Sequence, residues 1–250
     1  MSATSVAAFL RRDLLLLRRN TASLISMFVV PPLFLLCLYA VFGYSAGQSG
    51  FGYLRFVLGG CLFQAAMFTA AASAMAVGQD VESGLVDRVR VLPGATGGYV
   101  AGRLVTDVLR MSASIAALLV VAWACGLDMA VGDVAWTVLW SLLAAAVLSL
   151  VTDGVILMVP APVSTASSIQ ALEMLLLMFS TAFIPATALD GSLRDVVRHM
   201  PFSPIIEVIR AASPDAFPDS AGEEAALWLG VAAVAGIVLF IRRFTSRSES

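Results

Sequence analysis

The chain has 250 residues, 60% hydrophobic and 13% charged, with a formal net charge of -2. A soluble domain carries roughly 25% charged residues, so this chain cannot cover a water-facing surface and is read as an integral membrane protein. All 15 basic residues are Arg. The absence of Lys excludes a P-loop lysine for nucleotide phosphates and a Schiff-base lysine, so any energy source is expected in a partner or an ion gradient. Cys37, Cys61 and Cys125 lie far apart in apolar runs and read as small buried hydrophobes. His199 is the only histidine, which leaves no histidine cluster for zinc. No catalytic residue, metal site or cofactor is assigned to the chain, and no nucleic-acid partner.

Residues 1–20 precede the first span. Arg11, Arg12, Arg18 and Arg19 share one helical arc, and Phe9, Leu10, Leu14, Leu16 and Leu17 fill much of the other, which predicts an amphipathic helix in the membrane interface. Asp13 interrupts the apolar arc. A cleaved signal peptide competes, but the basic and apolar runs are both too long for one. Residues 21–42 form a first span of sufficient length, with a kink expected at Pro31-Pro32. Residues 43–52 read as a Gly- and Ser-rich turn. It contains GYSAG, which matches a nucleophile-elbow pattern but lacks the strand that the motif needs.

A second span covers 54–77, with Gln64 and Ser73 as interior polar groups. The loop 78–101 follows, and its stretch DVESGLVDRVRVLP (80–93) is charged between apolar neighbours. Val81, Leu85, Val89 and Leu92 give it an apolar stripe, with Gly84 early and Pro93 as a stop. A short amphipathic helix there, carrying Glu82, Asp87, Arg88 and Arg90, can press on another protein; a solvated connecting loop is the competing reading. The third span, 102–125, begins with Arg103, Asp107 and Arg110, spaced to pair along one face. The fourth, 136–159, has Trp136 and Trp140 at its outer end and Asp153 in its inner half. Arg110 and Asp153 both lie roughly 10 Å deep by helical rise, which predicts an interhelical structural pair.

The fifth span is expected over 165–185, after an uncharged turn at 160–168. Glu173 lies well inside it with no basic residue at matching depth, and so becomes, with Gln64, a candidate for a substrate path. Residues 187–220 are too polar to span and too apolar to be a free loop, and short re-entrant helices at the outer surface account for them. A sixth span covers 225–241 and ends in Arg242, Arg243 and Arg247. The Arg residues concentrate at one set of span ends, which predicts six spans with both termini cytoplasmic.

The run GQDVESGLVDRVRVLPGATGGYVAGR (78–103) resembles the cytoplasmic loop of ABC type-2 exporter permeases of the daunorubicin-resistance kind. The recurring residues are Glu82, Gly84, Asp87, Arg88, Arg90, Leu92-Pro93 and Gly102-Arg103. A second stretch, FIPATALDGSLRDVVRHMPFSPIIEVIR (183–210), resembles the same family through Phe183-Ile184-Pro185, His199, Pro201, Ser203-Pro204, Glu207 and Arg210. Asp190 and Ser192 stand where the family has Pro and Trp.

The resemblance implies a single all-α membrane domain over 1–250 that receives ABC ATPase subunits on the 78–101 loop. ATP and Mg would be bound by that partner. It also implies a second copy or a paralogous permease, a bacterial plasma-membrane location, and amphipathic drugs, antibiotics or lipids as substrates. Two other readings compete. An ion-coupled secondary transporter would use Asp153 and Glu173, although no inverted repeat is visible. An intramembrane hydrolase would use Ser45 and His199, which lack a supporting third group.

Overall fold

A computed structural model of the protein describes residues 3–19, 25, 28–48, 52–92, 95–185, 189–211 and 221–245. Among them the backbone is helical almost throughout and contains no strand. In hydrocarbon a backbone has no water to bond, and a helix satisfies its own polar groups. The helices in chain order are α1 (Ala3–Arg19), α2 (Val30–Gln48), α3 (Tyr53–Glu82), α4 (Leu85–Val91), α5 (Ala95–Ala124), α6 (Val131–Ile156), α7 (Pro162–Met178), α8 (Gly191–His199), α9 (Phe202–Arg210) and α10 (Ala221–Thr245). Of these, α3, α5, α6 and α10 are long and apolar enough to cross a membrane. Helices α2 and α7 are shorter, at 19 and 17 residues.

Helix α3 is the centre of the bundle, with α2, α5, α6, α7 and α9 packed around it. Residues 56–67 of α3 are buried without interruption. The main core joins Phe63 and Met67 of α3 to Met111 and Leu118 of α5, Leu177 of α7, and Ile206 and Ile209 of α9. A second apolar cluster lies at the other end of α3. It joins Val77, Val86, Val89, Tyr99, Ile156 and Phe240, with Phe9 against it. Helix α1 lies along α5, where the Phe9 and Tyr99 rings meet edge to face at 5.6 Å.

Several expected boundaries change. Helix α2 runs on to Gln48, so GYSAG (43–47) lies within a helix, not a turn, because no proline stops the helix there. The strand–turn–helix that a nucleophile elbow requires is therefore absent from this stretch. The Val29 N–H donates to Ile25 O at 2.9 Å and the Leu33 N–H to Val29 O at 3.0 Å, so helical bonding lies on both sides of Pro31 and Pro32, which have no N–H to give. Residues 21–24, 26 and 27 of the expected first span lie outside the described residues. The turn expected at 160–168 is confined to 157–161, and Pro162 opens α7 at its first position, a place where proline fits. Helix α7 ends at Met178, and the rest of the expected fifth span, 179–185, is turn and irregular backbone. The loop 78–101 is mostly helical, since α3 extends to Glu82 and α5 begins at Ala95.

Candidate functional site

The charged stretch forms a short helix seated on the end of α3. The Ser83 N–H donates to Gln79 O at 2.9 Å and the Gly84 N–H to Val81 O at 3.0 Å, closing α3. Gly84 then adopts φ 71°, a left-handed conformation that a side chain would resist, and α4 leaves in a new direction. This break puts Val81 and Leu85 on different helices and shifts the apolar phase. The buried seat of α4 is Val86 and Val89, not the full Val81, Leu85, Val89, Leu92 stripe. Leu92 is 56% exposed and its neighbour Val91 79%. Glu82, Asp87 and Arg88 are exposed and Arg90 is half-buried. Asp87 Oδ1 lies 3.0 Å from Arg243 Nη2 at the end of α10, so the acid of the Asp-Arg pair is braced by the last helix. Pro93 lies outside the described residues.

Beneath this seat, four helices contribute to a buried ionic cluster. Arg103 of α5 lies at its centre. Its Nη1 is 3.1 Å from Asp13 Oδ2 and 3.7 Å from Asp80 Oδ2. Its Nη2 donates to Ser73 O at 2.8 Å and its Nε to Ser73 Oγ at 3.3 Å. Ser73 Oγ donates to Asp153 Oδ2 of α6 at 2.8 Å. Asp80 also accepts from Tyr99 Oη at 3.1 Å and from both terminal nitrogens of Arg12. The bond to Asp80 raises the Arg12 guanidinium above its ordinary value, against a partial desolvation that lowers it. Asp13, Asp80 and Arg103 are each at most 4% exposed.

Asp13, which looked like a flaw in an amphipathic arc, is a ligand of Arg103. A lone acid inside an apolar helix face was the available signal. The expected Arg110–Asp153 pair does not form. Arg110 Nη1 lies 3.4 Å from Asp107 Oδ1 on its own helix, and Asp153 takes the Ser73 hydroxyl. An acid three residues back is already in reach of the guanidinium, whereas an interhelical partner requires the two helices to be rotated towards each other.

Gln64 and Glu173 lie outside this cluster, one on α3 and one on α7, two helices that pack together. A Cβ added at Gly78 would stand 3.1 Å from Val163 N, while one at Gly60 would overlap the Ala182 carbonyl oxygen. The two helices are therefore antiparallel, and counting from Gly78 and Val163 sets Glu173 level with Phe68 and Gln64 level with Leu177. At 1.5 Å per residue, Gln64 and Glu173 are about one turn apart. Both are buried, and Gln64 Oε1 and Glu173 Oε2 have no hydrogen-bond partner.

At the opposite end of the bundle from α4, α9 is almost wholly buried and α8 mostly exposed. The last carbonyls of a buried helix need donors from elsewhere. Trp136 Nε1 donates to Val208 O and Thr137 Oγ1 to Ile209 O, both at 3.1 Å. Arg210 serves the irregular segment after α7. Its Nη2 donates to Thr181 O and Ala182 O at 3.0 Å each, and its Nε to Phe56 O at 2.9 Å. The guanidinium lies 3.8 Å over the Phe56 ring. Ser203 Oγ accepts from the Thr181 N–H at 3.1 Å and donates to Val197 O at 2.6 Å. His199 Nδ1 is bonded to Asp195 O at 2.8 Å, and its Nε2 is 3.8 Å from Glu224. Pro201 precedes α9 at its N-cap. Pro185 ends the described part of the irregular segment, and Glu207 is half-buried.

Comparison with known proteins agrees with this architecture. The ABC-2 type transporter family matches residues 4–213. The daunorubicin resistance ABC transporter permease protein DrrB1 of Streptomyces coeruleorubidus is 32% identical over 117 residues, which are 46% of this chain and 41% of that protein. The match thus spans less than half of that relative. No solved structure matches the chain. With a family match over most of its length, membrane-length helices and the charged helix on the end of α3, the chain belongs to the ABC-2 type transporter family.

Proposed function

We propose that the chain is the membrane subunit of an ABC exporter, and that a separate ATPase docks on α4 and drives outward movement of amphipathic drug, antibiotic or lipid-like substrates. The observation that carries this reading is the surface of α4. Val91 and Leu92, at and just past the end of α4, are exposed apolar side chains, Arg88 on α4 and Glu82 at the end of α3 are exposed, and α4 is seated by buried Val86 and Val89 and tied through Asp87 to Arg243. Apolar area supplies burial at such a contact and the charges set register and partner choice. The family match and the name of the S. coeruleorubidus relative support the same function. ATP and Mg belong to the partner subunit in this reading, and a second copy or a paralogous permease completes the path.

Six crossings follow if α2 and α7 span with the four longer helices, with α8 and α9 re-entrant on the outer side. The Arg excess then puts both termini in the cytoplasm of a bacterial cell. Gln64 on α3 and Glu173 on α7 are both buried and are the groups assigned to the substrate path. Arg88→Glu and Val91→Asp test the docking surface. Both variants should insert normally, yet lose substrate-stimulated ATP hydrolysis and transport when produced with the ATPase. Unchanged coupling in both would reject α4 as the docking site.

A further inference from the structure

Helix α7 stops at Met178, and past exposed Phe179 the chain is buried again at Ser180, Thr181 and Ala182. Backbone that leaves a helix while buried must find donors and acceptors elsewhere. Here the carbonyls of Thr181 and Ala182 both accept from one guanidinium nitrogen of Arg210, which is anchored in turn by Phe56 O and the Phe56 ring. The Thr181 N–H is taken by Ser203. Gly60 lets the Ala182 carbonyl come against α3. One cation therefore joins α3, α9 and the irregular end of α7.

Nothing else described offers these carbonyls a charged donor, and the segment they belong to is covered on one side only: Phe179 is 62% exposed and Ile184 49%. A helix end closed by a single removable cation, with its neighbours exposed, can open without unfolding the bundle. Opening it requires Arg210 Nη2 to part from both carbonyls.

We propose that Arg210 is the positioning residue that holds the end of the bundle around 179–185 shut, and that its release from Thr181 and Ala182 opens that end during transport. This rests on the exporter reading above, of which it specifies the gate. Cys61, the residue after Gly60 and fully buried, reports on closure. It is to be left as the only cysteine by Cys37→Ser and Cys125→Ser, and its alkylation by a thiol reagent followed in membrane vesicles containing the ATPase, with and without ATP.

In the otherwise unchanged protein Cys61 should be protected at rest and react during turnover. Arg210→Ala should react at rest about tenfold faster or more, the change that loss of one charge-assisted hydrogen bond makes to an opening equilibrium. Arg210→Lys and Phe56→Leu, which weaken the clasp without removing the positive charge, should fall between, and they decide the matter if Arg210→Ala does not insert. Protection of Cys61 at rest in all three variants overturns the proposal. Equal protection with and without ATP, in a preparation that transports, also overturns it and leaves Arg210 a static tie. Failure of ATP to drive transport in any preparation, the unchanged protein included, counts against the exporter reading, and the resting rates then judge the clasp alone.

Discussion

Replacing Arg103 with Met keeps most of the volume and removes the cation at the centre of the buried cluster. The structure sets the scale of the loss. Arg103 is 4% exposed, and it gives up an ion contact of 3.1 Å to Asp13 and a bond of 2.8 Å to Ser73 O. Removing one member of a buried ion pair strands the other, which costs about 3–5 kcal/mol. Among the described residues Asp13 then retains Arg12 Nη1 at 3.2 Å, on a side chain one-third exposed.

Because Asp13 lies on α1, the loss falls on the attachment of that helix, leaving Phe9 against Tyr99 and the Arg12–Asp80 bonds to hold it. Asp13→Asn alone should cost less, about 1–3 kcal/mol, because Arg103 keeps Ser73 and Asp80. In the double variant no buried charge is left without its counterion at that contact, so its cost should fall short of the sum of the two single costs by about 1.5 kcal/mol or more. Thermal unfolding in detergent, read from tryptophan fluorescence, measures the three variants. Amide hydrogen exchange measures whether α1 opens first. Additive effects, or an Arg103→Met variant as stable as the parent with α1 still protected, would refute the argument that this cluster holds α1 to the bundle.

Two further outcomes are expected. Gly60→Val should lower stability by about 1–3 kcal/mol through overpacking, since its side chain would overlap the Ala182 carbonyl; an unchanged melting temperature would mean that the 179–185 segment does not press on α3. Glu173→Gln keeps the side-chain shape and should shift transport from cationic towards neutral substrates while stability is unchanged or raised, as measured by competition transport in vesicles; an unchanged preference would remove Glu173 from the path.

The sequence alone determined the helical membrane class and the family, and it located the charged stretch between two spans. These properties are local. Apolar run length decides what can cross hydrocarbon, Gly84 and Pro162 mark helix boundaries, and the family residues lie close together in the chain. It also showed that Arg110 and Asp107 could pair, three residues apart on one helix, but the partner it assigned to Arg110 was Asp153.

Only the tertiary structure decided the partners between helices. Asp13 and Asp80 lie 67 positions apart, yet both serve Arg103, because α1 is laid on α5 with Phe9 against Tyr99. Asp153 goes to Ser73 and not to Arg110, since the rotation of α6 about its axis is set by packing against α3 and α10, which no residue spacing records. The left-handed turn at Gly84 likewise moved the exposed apolar surface of α4 to Val91 and Leu92. The early end of α7 depends on Arg210, 32 residues beyond Met178, because a helix can be released inside a protein only where distant side chains take over its backbone bonds.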